Sequence, residues 1–183
     1  MEIEKEKSGW ELVRFAIIAL LVVVPIRLFI AQPFVVSGAS MFPTFEDKDY
    51  LIVDELTYKF NEPKRDDVII FRYPNDTKKF FIKRIIGLPN ETGDIKGGTI
   101  TITNESHPDG LTLEEPYVKN GSADNVHFEL KNGEYYVMGD NRIASSDSRS
   151  WGTVSRKHIV GRALVRLWPI SDIDFLPGKY EPN

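Results

Sequence analysis

Apolar and polar positions alternate in two different ways along this chain. From Trp10 to about Ile30 apolar residues dominate, and the stretch Phe15–Ile26 contains no charge. Beyond it the apolar residues come in short runs cut by polar turns. Tyr50-Leu51-Ile52-Val53 follows the turn Glu46-Asp47-Lys48-Asp49, and Val68–Tyr73 ends at Pro74-Asn75-Asp76. Phe80–Ile86 ends at Gly87-Leu88-Pro89, and Thr99–Thr103 alternates with period two after Gly97-Gly98. Glu134–Met138 follows Asn132-Gly133, and Ile159–Trp168 is closed by Pro169. Short β-branched and aromatic runs between Gly, Pro and Asn turns predict strands. The expected fold class is therefore mostly β. The segment Asn104–Asn125 is polar and reads as a hairpin connection and surface excursion.

The long apolar segment predicts a helix over residues 10–30, with Arg14 and Arg27 near its ends. About 20 residues match a hydrocarbon core near 30 Å, and terminal arginines can snorkel to the headgroups. Residues 1–9 are expected in the cytoplasm and residues 31–183 outside, because Lys5, Lys7 and Arg14 bias the amino end inward. Two other readings stay open: a cleaved signal peptide with its cut at Ser40, and a buried core helix.

Composition narrows the chemistry. The chain has 183 residues, 42% hydrophobic and 27% charged, which suits one folded domain plus an anchor. A net charge of -4 disfavours nucleic acid as a partner. The absence of cysteine removes disulfides, thiolate nucleophiles and thiolate metal sites. The histidines, His107, His127 and His158, show neither metal-ligand spacing nor the setting of a catalytic triad, and no metal or cofactor is expected.

Three segments can carry chemistry. Ser40 lies in Ser37-Gly38-Ala39-Ser40-Met41-Phe42-Pro43-Thr44, about ten residues after the apolar segment. A chain of that length keeps it within roughly 35 Å of a bilayer edge. A serine hydroxyl needs a base to become nucleophilic. Lys83 stands in the apolar run Phe80–Ile86, sharing a strand face with Phe81 and Ile85. Burial there would push its pKa down and make it a base; an ordinary strand lysine reaching water is the alternative. Gly139–Arg149 is dense in short polar side chains. It is either an Asx-rich loop bonding its own backbone or a scaffold behind a catalytic group.

Together these segments resemble the bacterial type I signal peptidases, membrane-anchored serine proteases that remove signal peptides from exported proteins. The Ser-Met-x-Pro-Thr box is Ser40–Thr44, and the Lys-Arg-x-x-Gly-x-Pro box is Lys83–Pro89. The Gly-Asp-Asn-Arg…Ser-x-Asp-Ser-Arg box is Gly139–Arg149. Gly161-Arg162-Ala163 and Trp168-Pro169 resemble the closing segment, and Glu115-Pro116-Tyr117 is a weaker echo. The short length and single anchor are similar to the Gram-positive forms. The resemblance implies antiparallel β-sheets with an apolar surface near the site that meets lipid. It implies Ser40 as nucleophile, Lys83 as general base and later acid, and Ser145 bonding the lysine amine. Asp147 and Arg149 would brace that loop, Met41 would touch substrate, and the Ser40 N–H would form part of an oxyanion hole. The signal peptide would bind extended, with small residues at the first and third positions before the cut.

Three positions depart from the pattern. Gly38 stands where some members carry a serine as second oxyanion donor, and Ser37 is not assigned that role. Asn90 replaces a common glycine, and Phe45 a usual leucine. Two further readings are a self-cleaving Ser/Lys regulator of related fold and a membrane-tethered binding domain without activity.

Overall fold

The computed structural model describes residues 9–21 and 31–180. Residues 9–21 are helical (α1). Among the described residues no helix is long and apolar enough to cross a membrane. Residues 22–30, needed to complete the expected anchor, and residues 1–8 of the expected cytoplasmic segment lie outside the described residues.

The rest is antiparallel β structure, as the alternation of short runs and turns predicts. The strands are β1 (Ala31–Val35), β2 (Tyr50–Asp54), β3 (Val68–Tyr73), β4 (Asp76–Gly87), β5 (Thr92–Lys96) and β6 (Thr99–Asn104). They continue with β7 (His107–Thr112), β8 (Asn125–Glu129), β9 (Glu134–Met138), β10 (Val154–Ser155), β11 (Ile159–Trp168) and β12 (Asp174–Phe175). Two one-turn helices, α2 (Thr57–Phe60) and α3 (Ser148–Trp151), interrupt them. The larger sheet runs β1-β2-β11-β3-β4-β9-β10, with β12 on β11. A smaller sheet runs β7-β6-β5-β8.

Strands buried on both faces need apolar side chains at successive positions. In β3, Val68 and Ile70 enter one cluster with Met41, Phe45 and Leu51. Ile69 and Phe71 enter another with Ile85, Tyr135 and Val137. β9 works the same way: Tyr136 and Met138 turn to a third cluster, with Ile86, Ile95, Ile100 and Phe128. That third cluster fastens the small sheet to β4 and β9. Successive side chains on a strand point to opposite faces, so β4 sends Lys83 and Arg84 to opposite sides. This parity places one next to Ser40 and the other in the interior.

The polar segment Asn104–Asn125 is more regular than expected. It contains β7, whose sequence His-Pro-Asp-Gly-Leu-Thr has no apolar alternation. Among the described residues β7 is the edge of the small sheet, paired only with β6. An edge strand tolerates Pro and needs no second apolar face, so its signal in sequence is weak.

Candidate active site

Ser40 is carried by a tight connection between β1 and β2. Phe45 N–H donates to Met41 O (3.0 Å), and Phe42 N–H to Ala39 O (3.2 Å). The turn is anchored below by Met41 and Phe45, both with no exposed surface. From the side, Asn141 N–H donates to Ser40 O (3.1 Å) and its side-chain amide to Ala39 O (3.0 Å). Gly139 allows this approach. A Cβ there would stand 2.3 Å from both Ser40 O and Ser145 Oγ. Any larger residue would push the turn and the polar loop apart.

Ser40, only partly buried, faces the end of the Lys83 side chain. The Lys83 Nζ lies 2.7 Å from Ser40 Oγ and donates to Ile82 O at 2.8 Å. Lys83 is 4% exposed, and its Nζ lies 5.5 Å from the centre of the Phe81 ring. Burial pushes its pKa down from 10.5 to about 8, while Asp147 and Asp140 pull it up. Each of those carboxylates is held by its own arginine. Arg84 donates through Nε to Asp140 Oδ1 (2.9 Å) and through Nη2 to Oδ2 (2.6 Å), both side chains being fully buried. Arg149 donates to Asp147 through Nε (2.8 Å) and Nη2 (2.8 Å). The acids that would keep the lysine charged are thus largely neutralised, and desolvation wins.

Asp147 also accepts from Gly139 N–H (3.0 Å) and caps α3 by accepting from Arg149 N–H (3.3 Å). Burial works to raise its pKa, but Arg149, Ser145 and the Gly139 N–H outweigh it and hold the group lowered. Arg149 reaches on to Asp124, Ser122 Oγ and Arg142 O. The expected brace of Asp147 and Arg149 is therefore a bridge from the polar loop to the connection before β8. Ser145 keeps a buried hydroxyl that makes no well-formed hydrogen bond. It sits near enough to Asp147 to help hold that carboxylate ionised.

Ser40 and Lys83 line a cleft of about 530 Å³, together with Phe34, Val36, Leu51, Ile70 and Ile82. Its two walls are the chain running from β1 to Ser40 and the middle of β4, residues 79–83. Met41, expected to touch substrate, instead packs in the interior beneath Ser40 and does not line the cleft. Gly38 lines the cleft at φ +88°, with open space where a side chain would project. Its N–H donates to Asp47 (2.8 Å). The three histidines stay away from the cleft lining. His127 is exposed beside Asp94 and Glu129.

Several residues inside the motifs had no role assigned from sequence. Asp140 accepts from Thr44 Oγ1 (2.5 Å) as well as from Arg84. It thereby ties the segment after Ser40 to the strand of Lys83. Arg142 donates to Gly139 O (3.0 Å) and pairs with Glu115, so the weak Glu115-Pro116-Tyr117 echo is structural. Tyr117 lies on the Arg84 guanidinium, 3.8 Å from ring centre to Cζ. The available signal was a second charge, Arg84, beside Lys83 in the apolar half of β4, where a buried cation demands a partner.

Residues 9–168 match the family described as "Signal peptidase, peptidase S26". The chain belongs to this family. It is 40% identical over 157 residues to a signal peptidase I of Leptolyngbya laminosa, covering 80% of this chain and 73% of that one. It is 33% identical over 182 residues to a signal peptidase I of Bacillus amyloliquefaciens, covering 92% and 90%. A solved signal peptidase I from Enterococcus faecalis V583 is 30% identical, with a TM-score of 0.47 over 56% of this chain and 97% of that one. The peptidase S26 membership makes this chain an enzyme that cleaves signal peptides from exported preproteins. It supports that activity over the readings as a regulator that cuts itself and as an inactive binding domain.

Proposed function

We propose that this signal peptidase works through a Ser40/Lys83 dyad at the end of a single membrane anchor. The observation that carries the reading is the 2.7 Å approach of a buried lysine amine to a serine hydroxyl at a cleft. Neutral Lys83 takes the Ser40 proton as the hydroxyl attacks the scissile carbonyl. The ammonium then gives a proton to the leaving amine, and an acyl-enzyme remains. Lys83 next activates a water that releases the mature protein. The Ser40 N–H supplies one oxyanion donor. Asp147 and Arg149 hold the polar loop, and the buried Ser145 hydroxyl, which makes no well-formed hydrogen bond, orients the lysine from behind. The substrate lies extended between the two cleft walls, adding a strand.

The domain plan is a cytoplasmic segment 1–9, an anchor 10–30 and an extracytoplasmic catalytic body 31–183. Exposed apolar residues support lipid contact beside the anchor. Val35 pairs with Tyr50 and Tyr50 with Trp168, and all three are exposed. Ile170, Ile173 and Phe175 extend that surface.

The test of the dyad is cleavage of a preprotein by the detergent-solubilised chain. Ser40→Ala and Lys83→Ala are each expected to lose cleavage by at least about a thousandfold, with the β fold retained by circular dichroism. Substantial processing by either variant overturns the dyad. Because the chain has no cysteine, single cysteines at positions 3 and 129 can report topology. Only the second is expected to react with an impermeant thiol reagent added outside the cell.

A further inference from the structure

The last described residues form a lid over the buried pair behind the nucleophile. After β12 the chain turns back, with Leu176 N–H donating to Leu164 O (2.7 Å), and Pro177 is buried. Gly178 follows at φ +78°, in the left-handed region that favours glycine. A Cβ there would stand 2.7 Å from Thr44 Cγ2, 3.1 Å from Val68 Cγ2 and 3.3 Å from Arg84 Nη2. Its carbonyl accepts from Arg84 Nη1 at 2.5 Å. Tyr180 meets the Tyr117 ring edge-on at 5.9 Å, and Tyr117 lies on the guanidinium of Arg84.

These contacts form one path. Gly178 holds Arg84; Arg84 holds Asp140; Asp140 accepts from Thr44, four residues past the nucleophile. The next residue, Asn141, holds the carbonyls of Ala39 and Ser40. We propose that residues 177–180 act as a latch that positions Ser40 against Lys83, through Arg84 and Asp140. The proposal rests on the dyad reading above. Without the latch, one buried N–H of a charged guanidinium loses its acceptor, which is costly. Water also gains access to the Arg84–Asp140 pair, weakening the attraction that holds it. The turn bearing Ser40 then loosens, and a displacement near 1 Å costs on the order of a hundredfold in rate. No residue of the latch lines the cleft, so substrate binding is expected to stay intact.

The test uses the full chain in detergent with a preprotein substrate. Rates are taken per folded molecule, counted by near-ultraviolet circular dichroism. Gly178→Ala and deletion of residues 177–183 are each expected to lower kcat by about ten- to a hundredfold, with KM within about twofold. Adding Thr44→Ser to Gly178→Ala removes the methyl that the new Cβ would strike and keeps the hydroxyl on Asp140. The double variant is expected to regain several-fold in kcat over Gly178→Ala. A purely structural role predicts loss of folded protein with normal kcat in what remains. The proposal is overturned by that result, by a change confined to KM, or by the absence of rescue. Ser40→Ala, run in parallel, separates the two readings. If it still cleaves, the dyad is wrong; if it is dead while Gly178→Ala keeps full kcat, only the latch is wrong.

Discussion

The two sides of β4 show the same event, burial of a cation, with opposite outcomes. On one side Lys83 enters the cleft 4% exposed, with a serine hydroxyl and one carbonyl as its hydrogen-bond partners. On the other side Arg84 enters the interior with no exposure and meets a carboxylate head-on. Lysine can shed its proton and is pushed down to about 8. Arginine cannot, so it must be paired, and its pairing with Asp140 fixes geometry instead. The fold thus sets a titratable cation and a fixed one side by side, and the fixed one offsets Asp140, one of the two acids that would keep its neighbour charged.

Replacing the reactive cation breaks the comparison most sharply. Lys83→Met is expected to abolish cleavage yet raise stability at pH 7. The sign follows from the lowered pKa. Below about 8 the lysine is charged in both the folded and unfolded states, and the folded state bears the full cost of a buried ammonium. Between about 8 and 10.5 the unfolded chain holds more protons, so stability of the native enzyme rises with pH across that window. The shift corresponds to roughly 3 kcal/mol. Denaturation at pH 7 and pH 10 should show Lys83→Met ahead by a margin of that order at the lower pH, narrowing at the higher. A variant less stable than the parent at pH 7 would show that burial costs the lysine little.

The rigid cation gives a loss of similar size and opposite sign. Asp140→Asn or Arg84→Met strands a buried charge, and each is expected to cost about 3–5 kcal/mol in urea unfolding. Joining Arg84→Met with Asp140→Leu should recover most of that stability without restoring normal kcat. Full stability in either single variant would mean that the pair is not sealed from water.

The smallest effect belongs to the sheet that carries no chemistry. Gly93 lies under Phe128, whose Cζ would be 2.1 Å from a Cβ at that position. Phe128 in turn stacks on Tyr136 at 3.7 Å. Gly93→Ala should therefore cost about 1–3 kcal/mol and leave kcat per folded molecule unchanged. A fall in kcat would show that packing under Phe128, and not only the Arg149 link to Ser122 and Asp124, joins the small sheet to the active site.

Legibility in the sequence followed how local each signal was. β3, β9 and β11 could be read to their end residues, because apolar runs between turns report strands buried on both faces. β7 and β5 were hidden, since Thr-Gly-Asp-Ile-Lys and His-Pro-Asp-Gly-Leu-Thr carry too few apolar positions to show a period. Ser40 and Lys83 stood out through their motifs and the odd placement of a lysine among apolar neighbours. Arg84 and Asp140 are 56 positions apart, and nothing local announces their pairing. Met41 looked like a substrate contact from its place beside the nucleophile. The tight turn instead points it inward, where it packs under Ser40. The contacts of the closing tail were equally silent, because a glycine near the end of a chain reads as a turn and nothing more.

The central claim is that the Lys83 amine is neutral over a useful range of pH. At pH 7 a midpoint of about 8 leaves roughly one molecule in ten in the reactive form. The acidic limb of kcat/KM should then turn near the same pH. The most direct measurement is the titration of the Lys83 side chain itself, by nuclear magnetic resonance of enzyme labelled at the lysine Cε and Nζ. The resonance is assigned by its loss in Lys83→Met. The account predicts a midpoint of about 8, well below the ordinary lysine value of 10.5. A midpoint near 10.5 would contradict it.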